Sequence, residues 1–422
     1  MPSDAPRDRF PESAALWQRA SRRILGEVQT ISKHPSSYAG GAGGCPVYAV
    51  RASGAYFEDA DGNRILDYPL ALGAIILGHA HPVVNEAVSR QLALGSLYSL
   101  SSPLEVELAE LVNAVVPCAG KVRFFKTGSE ATSAAVRVAR AVTGRPVVAV
   151  CGYHGWHDWT AVRMPRKAGI PECLAGQVRV FAYNDPASLE RIFSEFPAQV
   201  AAVIMEPVSN QAPLPGFLES VRDMARSNGA VLIFDEMITG FRLHLGGAQA
   251  HYGVTPDLAT FGKAMSNGLP MAMLAGDAAL LDDAAQKAFL TSTYGGDTLA
   301  LSASLACIAH LVETDACTRL KRLGEDLQDG LNAVFKRTGF PARITGLAHK
   351  TFLSAESAGG RTAEEIETAF RRQCLMRGHF LGYGHFVSLS HTPEDIKKSC
   401  ETAEEVCVLL RHRLESGEDI QG

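Results

Sequence analysis

No stretch of this sequence approaches the roughly 20 consecutive apolar residues that a membrane span requires. The N-terminus, MPSDAPRDRF, is charged and contains proline where a signal peptide would be apolar. Long runs of one charge are also missing, because the 40 basic and 45 acidic residues are well mixed. Neither a nucleic acid nor an anionic membrane is therefore indicated as a partner. We expect a cytoplasmic protein that acts on small molecules.

The sequence also lacks any C-x-x-C pair. Its nine cysteines are scattered, at positions 45, 118, 151, 173, 307, 317, 374, 400 and 407. Neither a zinc site nor a disulfide framework is indicated, and most of these thiols are expected to be reduced and buried. We expect no metal at the functional site.

What the chain does contain is 422 residues with 46% hydrophobic content, enough for two or three domains around sizeable cores. In its middle part, short apolar runs alternate with turns and with helix-like segments such as GFLESVRDMARSNG at 216–229. The runs are VVAV (147–150), VAAVIM (200–205), VLIF (231–234), LATF (258–261) and MAMLA (271–275). This alternation predicts an α/β fold, with helices on both faces of a mainly parallel sheet.

The two ends of the chain have different patterns. The stretch YFEDADGNRILDY (56–68) predicts a hairpin with a turn at Asp61 and Gly62. Beyond about residue 311, amphipathic helices such as TRLKRLGEDLQDGLNAVFKR (318–337) accompany FVSLSH (386–391), which predicts a strand. We therefore expect an N-terminal segment at 1–77, a large domain at 78–310 and a C-terminal α+β domain at 311–422.

Polar residues follow several of the apolar runs, at the strand ends where open parallel sheets bind their ligands. The stretch KTGSEATSAAVRVARA (126–141) places Gly128 and Ser129 before an alanine-rich helix. Free backbone N–H groups and a hydroxyl would suit a phosphate there, although an ordinary helix with Ser129 as its N-cap is the alternative. Glu206 follows VAAVIM, either as a cofactor-binding residue or as a turn residue before proline.

Two further strand ends carry an acid and a lysine. Asp235 follows VLIF, so its carboxylate needs a partner, such as a protonated ring nitrogen, an N-cap position or a salt bridge to Arg242. Lys263 follows LATF, where a partly desolvated amine becomes a nucleophile toward carbonyls, whereas most lone turn lysines are solvated. A phosphate cradle, a buried acid and a strand-end lysine are together the three fixed points that hold pyridoxal 5'-phosphate.

In this order and spacing, these motifs resemble the class III pyridoxal-phosphate aminotransferases of fold type I. They are most similar to the branch that contains glutamate-1-semialdehyde aminomutase. The matching stretches are TGSEATSAAVRVARAVTGR, GYHGWHD, IMEPV, IFDEMITGFR and GVTPDLATFGKAMSNGLPMA. The resemblance implies a large domain with a mainly parallel seven-stranded sheet, plus a small α+β domain formed by the N- and C-terminal parts. Asp235 and Lys263 would be the family's acid and Schiff-base lysine.

The resemblance also assigns roles to other residues. It implies that Gly128 and Ser129 bind the phosphate, that Tyr153 stacks on the pyridine ring and that Met237 lies against the other face. Thr293 corresponds to the threonine that reaches the phosphate of the neighbouring subunit, which implies a homodimer with shared active sites. Outside the family context, Tyr153 and Met237 would be core residues, and Thr293 would cap the following helix.

The reaction that the resemblance implies is transamination between a small-molecule amine donor and a carbonyl acceptor. A donor amine replaces Lys263 on the cofactor, and the released lysine then transfers protons as general acid and base. Asp235 keeps the ring nitrogen protonated. Just past Tyr153, the side chains of Trp156, His157 and Trp159 either line the substrate entrance or form a surface aromatic cluster.

The sequence departs from the aminomutase pattern at positions that, in the aminomutase, recognise the substrate. KHPSSYAGGAGG (33–44) lacks the expected arginine, Leu72 replaces a tryptophan, Gln211 replaces an asparagine, and Tyr383 or a neighbour replaces a glutamate. We therefore expect an aminotransferase for a specialised amine or ketone, such as an amino-sugar or natural-product intermediate. An aminomutase is the alternative. A cofactor-binding protein without turnover is disfavoured, because the cofactor residues are all present.

Overall fold

A computed structural model describes residues 9–420 of the chain. Of the N-terminal stretch considered above, residues 1–8 lie outside this range. The helices are α1 (Pro11–Ala20), α2 (Leu70–Gly73), α3 (Pro82–Leu92), α4 (Pro103–Val115), α5 (Gly128–Thr143), α6 (Asp158–Ala161), α7 (Pro186–Glu195), α8 (Phe217–Ser227), α9 (Gly247–Tyr252), α10 (Ala278–Lys287), α11 (Thr298–Glu313), α12 (Ala316–Thr338), α13 (Ala363–Leu375) and α14 (Pro393–Ser416). The strands are β1 (Ala49–Ser53), β2 (Tyr56–Asp59), β3 (Arg64–Asp67), β4 (Lys121–Phe125), β5 (Val147–Cys151), β6 (Val178–Val180), β7 (Val200–Met205), β8 (Val231–Asp235), β9 (Leu258–Phe261), β10 (Ala272–Gly276), β11 (Ala342–Leu347), β12 (Lys350–Ala355) and β13 (His379–Phe380).

The chain divides into two compact units. The terminal unit combines the described residues of Met1–His81 and Thr318–Gly422, and the central unit is Pro82–Cys317. Helices α11 and α12 follow each other along the chain with a bend between them. Within residues 9–420 no single helix has the length and apolarity of a membrane span, and only this bent pair meets that test when its two helices are taken together.

The central unit is built on a seven-stranded sheet with the order β4-β10-β9-β8-β7-β5-β6. Neighbours from β9 to β6 are parallel, and β10 runs antiparallel to both β4 and β9. Every residue of β5, β7, β8, β9 and β10 is buried. Strands that are covered on both faces have continuous apolar sequences, which is why these five runs were recognisable. The predicted mainly parallel seven-stranded sheet is confirmed.

Six of the seven strands of this sheet, all except β10, end at one edge. Because β10 is antiparallel to both of its neighbours, β4 runs in the same direction as β9, and therefore as β8, β7 and β5. Helix α5 begins just after β4 and packs across the sheet, where its residues Val136 and Ala135 join a core with Ile204 and Ile233. The segments that follow β4, β5, β7, β8 and β9 are consequently brought to the same edge.

The terminal unit contains a four-stranded sheet, β1-β2-β3-β13, and the separate hairpin β11-β12. The hairpin predicted at 56–68 is present as the antiparallel pair β2 and β3. In its turn the Asp59 carboxylate accepts hydrogen bonds from Asp61 N at 3.0 Å and Asn63 N at 2.7 Å, and Gly62 has φ 86°. An Asx-type turn with a left-handed glycine is what the D-G dipeptide predicts.

The prediction of a strand at 386–391 is wrong. Phe386 N donates to Tyr68 O at 2.7 Å, within the terminal unit. Leu389 N donates instead to Ile76 O at 2.9 Å. The backbone groups of this segment therefore pair with separate neighbours, and no continuous ladder forms. Its apolar alternation reflects burial, not sheet pairing.

We expect the stability of the terminal unit to depend on pH through His385. This imidazole is buried, and desolvation, assisted by the nearby Arg371 charge, lowers its pKa from 6.5 to about 3. Between these pH values the unfolded chain binds a proton that the folded chain does not. The stability that this group contributes is therefore complete above pH 6.5 and is lost progressively as the pH drops from 6.5 to about 3. His385→Asn should reduce the slope of the unfolding free energy against pH by about 1.4 kcal/mol per pH unit in this window.

Urea unfolding at several pH values measures that slope. His412 is exposed on α14, so the variant His412→Asn serves as the matched control and should keep the wild-type slope. Equal slopes for wild type and His385→Asn would show that the buried imidazole does not drive acid destabilisation.

Candidate active site

Asp235 is the last residue of β8 and is buried, with 4% of its surface exposed. Its Oδ2 lies 2.8 Å from His154 Nδ1. Its Oδ1 accepts a hydrogen bond from Met237 N at 3.2 Å and one from the Thr260 hydroxyl at 3.4 Å. An ionised carboxylate can only accept, so His154 Nδ1 carries the proton of this pair. The buried acid is therefore held in one orientation by a partner that sequence reasoning did not identify.

Glu236, the next residue, has a different environment. It is fully buried and accepts hydrogen bonds from Ala248 N at 2.7 Å and Gln249 N at 3.0 Å, and also from the Thr239 hydroxyl. Burial raises its pKa, and these hydrogen bonds oppose that rise. The Glu236 carboxylate therefore stabilises the first turn of α9. Of the two neighbouring acids, Asp235 is the one that contacts His154.

His154 is buried at the carboxyl end of β5, two strands away from Asp235 in the sheet order. Its Nε2 has no hydrogen-bond partner among the described residues. Its ring lies parallel to the indole of Trp159, with 6.4 Å between the centroids. Trp159 itself belongs to the hydrophobic core, whereas Trp156 is 74% exposed. The two tryptophans are therefore neither a joint entrance lining nor a single surface cluster.

Helix α5 begins at Gly128, and its N-cap is Thr127. The alternative in which Ser129 caps the helix is wrong, because Thr127 and Glu130 form a capping box. Within residues 9–420 no acceptor lies within hydrogen-bonding distance of the N–H groups of Gly128 and Ser129. The Ser129 hydroxyl accepts from Trp156 N at 3.3 Å, so its own proton stays available. Three donors at the positive end of a helix suit a phosphate.

Lys263 follows β9 by two residues and begins a short 3₁₀ helix, Lys263–Ser266. Its φ is 47°, a left-handed conformation that costs a non-glycine residue roughly 1–2 kcal/mol. The preceding Gly262 is extended, and a methyl group on its Cα would lie 2.8 Å from Met237 Sδ. The side chain of Lys263 is only partly exposed. A strained backbone conformation of this kind persists only where surrounding contacts hold the residue in place, and such residues are frequent at active sites.

Met237, Tyr153 and Glu206 lie in the same group of strand ends. Met237 is 9% exposed, and a methyl group on Gly128 would come 3.0 Å from its sulfur. Tyr153 is 59% exposed, and its backbone N donates to Glu206 Oε2 at 3.3 Å. Partial burial and the charge of Asp235 raise the pKa of the Tyr153 phenol. Met237 therefore adjoins both the start of α5 and the segment of Lys263. Tyr153 is close enough to Asp235 for the two side chains to interact electrostatically.

Thr293 is separate from this group. It lies exposed in the turn before α11 and has no hydrogen bond to any described residue. The alternative in which it caps α11 is wrong, because Asp297 is the N-cap and accepts from Leu299 N at 3.0 Å. The other Asp297 oxygen lies 2.7 Å from Lys126 Nζ, which fixes the end of this turn beside β4. The hydroxyl of Thr293 is thus free to contact another molecule.

The segment at 33–44 lacks an arginine of its own but is bound by one. Arg372 of α13, within the same unit, donates from Nη1 to Ala39 O at 3.0 Å and from Nη2 to Gly43 O at 2.9 Å. These bonds direct the guanidinium at backbone carbonyls. Sequence reasoning missed this contact, because Arg372 is more than 300 residues away along the chain.

The remaining positions that depart from the aminomutase pattern are at least partly exposed. Leu72 is 39% exposed in α2, where Ala71 and Leu72 have φ values of 53° and 61°. Tyr383 is 63% exposed and Gln211 is exposed. None of these side chains carries a positive charge that could bind a carboxylate.

The residues fit pyridoxal phosphate by their chemistry. Gly128 and Ser129 offer donors to a phosphate, Asp235 offers a fixed carboxylate to a ring nitrogen, and Lys263 offers an amine. Within the described residues no group of three or more His, Cys, Asp or Glu side chains could hold a metal ion. It is the donors of Gly128 and Ser129, the carboxylate and the amine that suit an organic cofactor with an anionic group.

Comparisons with known proteins agree with this assignment. The family model of class III aminotransferases matches residues 37–393. The glutamate-1-semialdehyde 2,1-aminomutase of Thermomicrobium roseum is 38% identical in an alignment 420 residues long, which covers 93% of this chain and 96% of that protein. The aminomutase of Symbiobacterium thermophilum is 37% identical, over 94% of this chain and 98% of that protein.

Solved structures are also similar. The PLP internal aldimine form of FumI from Sphingopyxis sp. MTA144 has a TM-score of 0.88 at 27% identity and covers 96% of this chain and 97% of that one. An omega-transaminase from Sphaerobacter thermophilus has a TM-score of 0.83 at 29% identity, over 94% of this chain and 97% of that one. The expected fold type I architecture is confirmed.

Proposed function

This chain belongs to the class III aminotransferases, which depend on pyridoxal phosphate, and we propose that it moves an amino group between an amine donor and a separate carbonyl acceptor. The observation that carries this proposal is that residues 33–44 contain no arginine to bind a substrate carboxylate, while the Arg372 guanidinium that contacts this segment donates to its backbone carbonyls. A specialised substrate, such as an amino-sugar or natural-product intermediate, would need no such arginine. The cofactor residues are meanwhile all present.

The proposed roles follow from the contacts described above. Bound pyridoxal phosphate would supply an aldehyde that captures amines and a ring that withdraws electrons. Asp235, oriented by His154, would hold a positive charge at the ring nitrogen. Gly128 and Ser129 would bind the phosphate, and Tyr153 and Met237 would lie on opposite faces of the ring. Glu206 would fix the Tyr153 backbone, and Lys263 Nζ would take the proton from the substrate carbon that bears nitrogen and later return it.

The second candidate is a glutamate-1-semialdehyde 2,1-aminomutase. Relatives with that name are 36–38% identical over at least 93% of this chain. An aminomutase rearranges one substrate and needs no acceptor, whereas an aminotransferase needs a second, carbonyl substrate.

One experiment separates these candidates. The purified enzyme is incubated with a panel of amines and amino acids, with and without 2-oxoglutarate, and in parallel with glutamate-1-semialdehyde alone. Loss of the cofactor's visible absorbance with a donor, followed by recovery and glutamate formation with 2-oxoglutarate, supports the aminotransferase. Stoichiometric conversion of glutamate-1-semialdehyde without an acceptor supports the aminomutase and overturns our proposal. The Lys263→Ala variant is the blank for both.

Gly155 offers a test of the proposed phosphate site. Its φ is 101°, and a methyl group on its Cα would lie 2.8 Å from Ser129 Cβ. We expect Gly155→Ala to displace Ser129 and to weaken binding of pyridoxal phosphate to the apoenzyme by about tenfold or more, since one charge-assisted hydrogen bond is worth about 1.5–3 kcal/mol. Titration of the apoenzyme with the cofactor, followed by absorbance, measures this loss.

Gly144→Ala is the matched control for that variant. Gly144 follows the last residue of α5, the helix that contains Ser129, and has a positive φ of 67°; nothing lies within 4 Å of a methyl group added there. It should therefore lose roughly 1 kcal/mol of stability but keep its affinity for the cofactor. If both variants bound the cofactor equally well, Ser129 would not be a phosphate ligand.

We further propose that the enzyme is a homodimer in which Thr293 completes the site of the neighbouring subunit. In support, Thr293 is exposed and makes no hydrogen bond to any residue that the structure describes. The central unit also exposes a run of large apolar side chains, among them Leu92, Leu94, Leu97 and Leu100. Such a run on a surface favours association with another protein surface.

Subunit mixing tests the shared site. We expect Lys263→Ala and Thr293→Asp homodimers to be impaired, and a mixture of the two, refolded together, to regain roughly one quarter of wild-type activity by random assortment, since each hybrid holds one intact site. Steady-state rates of the mixed and separate proteins measure this. No recovery in a mixture that native mass spectrometry shows to contain hybrids would contradict the shared site.

A further inference from the structure

A second cavity, of about 330 Å³, lies along helix α5. Ser133, Arg137 and Arg140 of that helix line it together with His157, Trp159 and Leu174. None of the proposed cofactor ligands lines it. At a rise of 1.5 Å per residue, the cavity extends from about 6 Å to about 16 Å beyond Ser129 along the helix axis. It is therefore distinct from the proposed phosphate site.

The two arginines of this cavity have unused donors. Arg137 donates to Phe289 O at 2.8 Å, and Arg140 donates to Pro146 O at 3.0 Å and Gln177 Oε1 at 3.3 Å. A guanidinium has five N–H donors, so each retains several. Among residues 9–420 no carboxylate forms an ion pair with either arginine, although Asp158 also lines the cavity. Burial lowers the pKa of Arg140, and no acidic neighbour offsets this effect.

A hydrogen-bond chain joins Trp159, Ser133 and His157 in the lining of this cavity. Trp159 Nε1, which can only donate, lies 2.8 Å from Ser133 Oγ. Ser133 Oγ lies 2.7 Å from His157 Nδ1, and among the described residues these two contacts are the only side-chain hydrogen bonds of that hydroxyl. If the serine proton is given to Nδ1, a neutral His157 carries its own proton on Nε2. The imidazole thus adds a third donor to the two guanidinium groups.

We propose that this cavity binds a small amphipathic anion, with its carboxylate or phosphate group on Arg137, Arg140 and His157 and a short apolar body against the other side chains. The wall supplies that apolar surface through Val136, Leu174 and the indole of Trp159. A volume of this size is at the lower end of small-molecule sites, which span about 300–1,000 Å³. The proposal does not depend on which amine the enzyme uses.

Binding can be measured through Trp159. The chain has three tryptophans, so the double substitution Trp17→Phe and Trp156→Phe leaves Trp159 as the only indole of the full-length holoenzyme. Hexanoate supplies head and body, inorganic phosphate the head alone and 1-hexanol the body alone, and none absorbs at the excitation wavelength. We expect saturable quenching by hexanoate, with at least about tenfold weaker binding of phosphate and of hexanol.

Arginine variants in the same background decide the outcome. Arg137→Gln with Arg140→Gln should weaken hexanoate binding at least about tenfold, and the corresponding pair of lysine substitutions should retain part of it. Arg222→Gln changes a partly exposed arginine of the same unit that pairs with Asp223, and it should leave binding unchanged. Thermal unfolding checks that each variant is folded. Equal hexanoate affinity in the glutamine pair, or equal binding of hexanoate and hexanol, would overturn the proposal.

Discussion

Replacing Lys263 with alanine is expected to reduce turnover by about 10⁴-fold, the upper end of the range for loss of a general acid/base group. The lysine would serve both as the amine that links the cofactor to the protein and as the group that moves the substrate proton. Reduction with borohydride followed by peptide mass spectrometry measures the link directly. The peptide that contains Lys263 should gain the cofactor's mass in the wild type, and the variant should gain none.

Two controls make this experiment specific. Lys287 lies on α10 of the same unit and pairs with Asp283 at the surface, so Lys287→Ala should keep both the covalent link and the activity. Lys263→Gly should be as inactive as the alanine variant but more stable by about 1 kcal/mol, because glycine relieves the left-handed φ of 47° at this position. A covalent link that survived in Lys263→Ala would refute the assignment of the lysine.

The strand ends were predictable because buried parallel strands leave a continuous apolar signal. The runs before Glu206, Asp235 and Lys263 correspond to β7, β8 and β9, which are parallel neighbours. Once the strands are parallel, the residues that follow them must meet at one edge. The N-cap of α5 could also have been predicted from the sequence, since Thr127 and Glu130 have the T-x-x-E spacing of a capping box.

Other features depend on contacts that no local pattern encodes. The sequence has 13 histidines, and the one that meets Asp235 is selected by the sheet order, in which β7 separates β5 from β8. A buried carboxylate does predict some partner, but not which one. Arg372 binds the loop at 39–43 across more than 300 residues of chain. The segment FVSLSH has the apolar alternation of a strand but no continuous partner.

Asp235→Asn is expected to lower kcat by about 10²–10³-fold, the cost of removing one preorganised electrostatic group. Asparagine has the same shape, so it keeps an oxygen for Met237 N and Thr260 while it loses the charge that would stabilise a protonated ring nitrogen. The covalent link through Lys263 should persist. Turnover measured together with the borohydride assay separates this loss from loss of the cofactor.

His154→Phe is expected to have a smaller effect, a decrease of about tenfold in kcat. His154 positions Asp235 through the hydrogen bond at 2.8 Å, and in the variant Asp235 loses that charge-assisted hydrogen bond. Since His154 acts through Asp235, the double variant should be no slower than Asp235→Asn alone. Thermal unfolding of all three proteins controls for damage to the packing against Trp159. If the losses in kcat multiplied in the double variant, His154 would contribute to turnover independently of Asp235. Its proposed role in positioning that carboxylate would then be wrong.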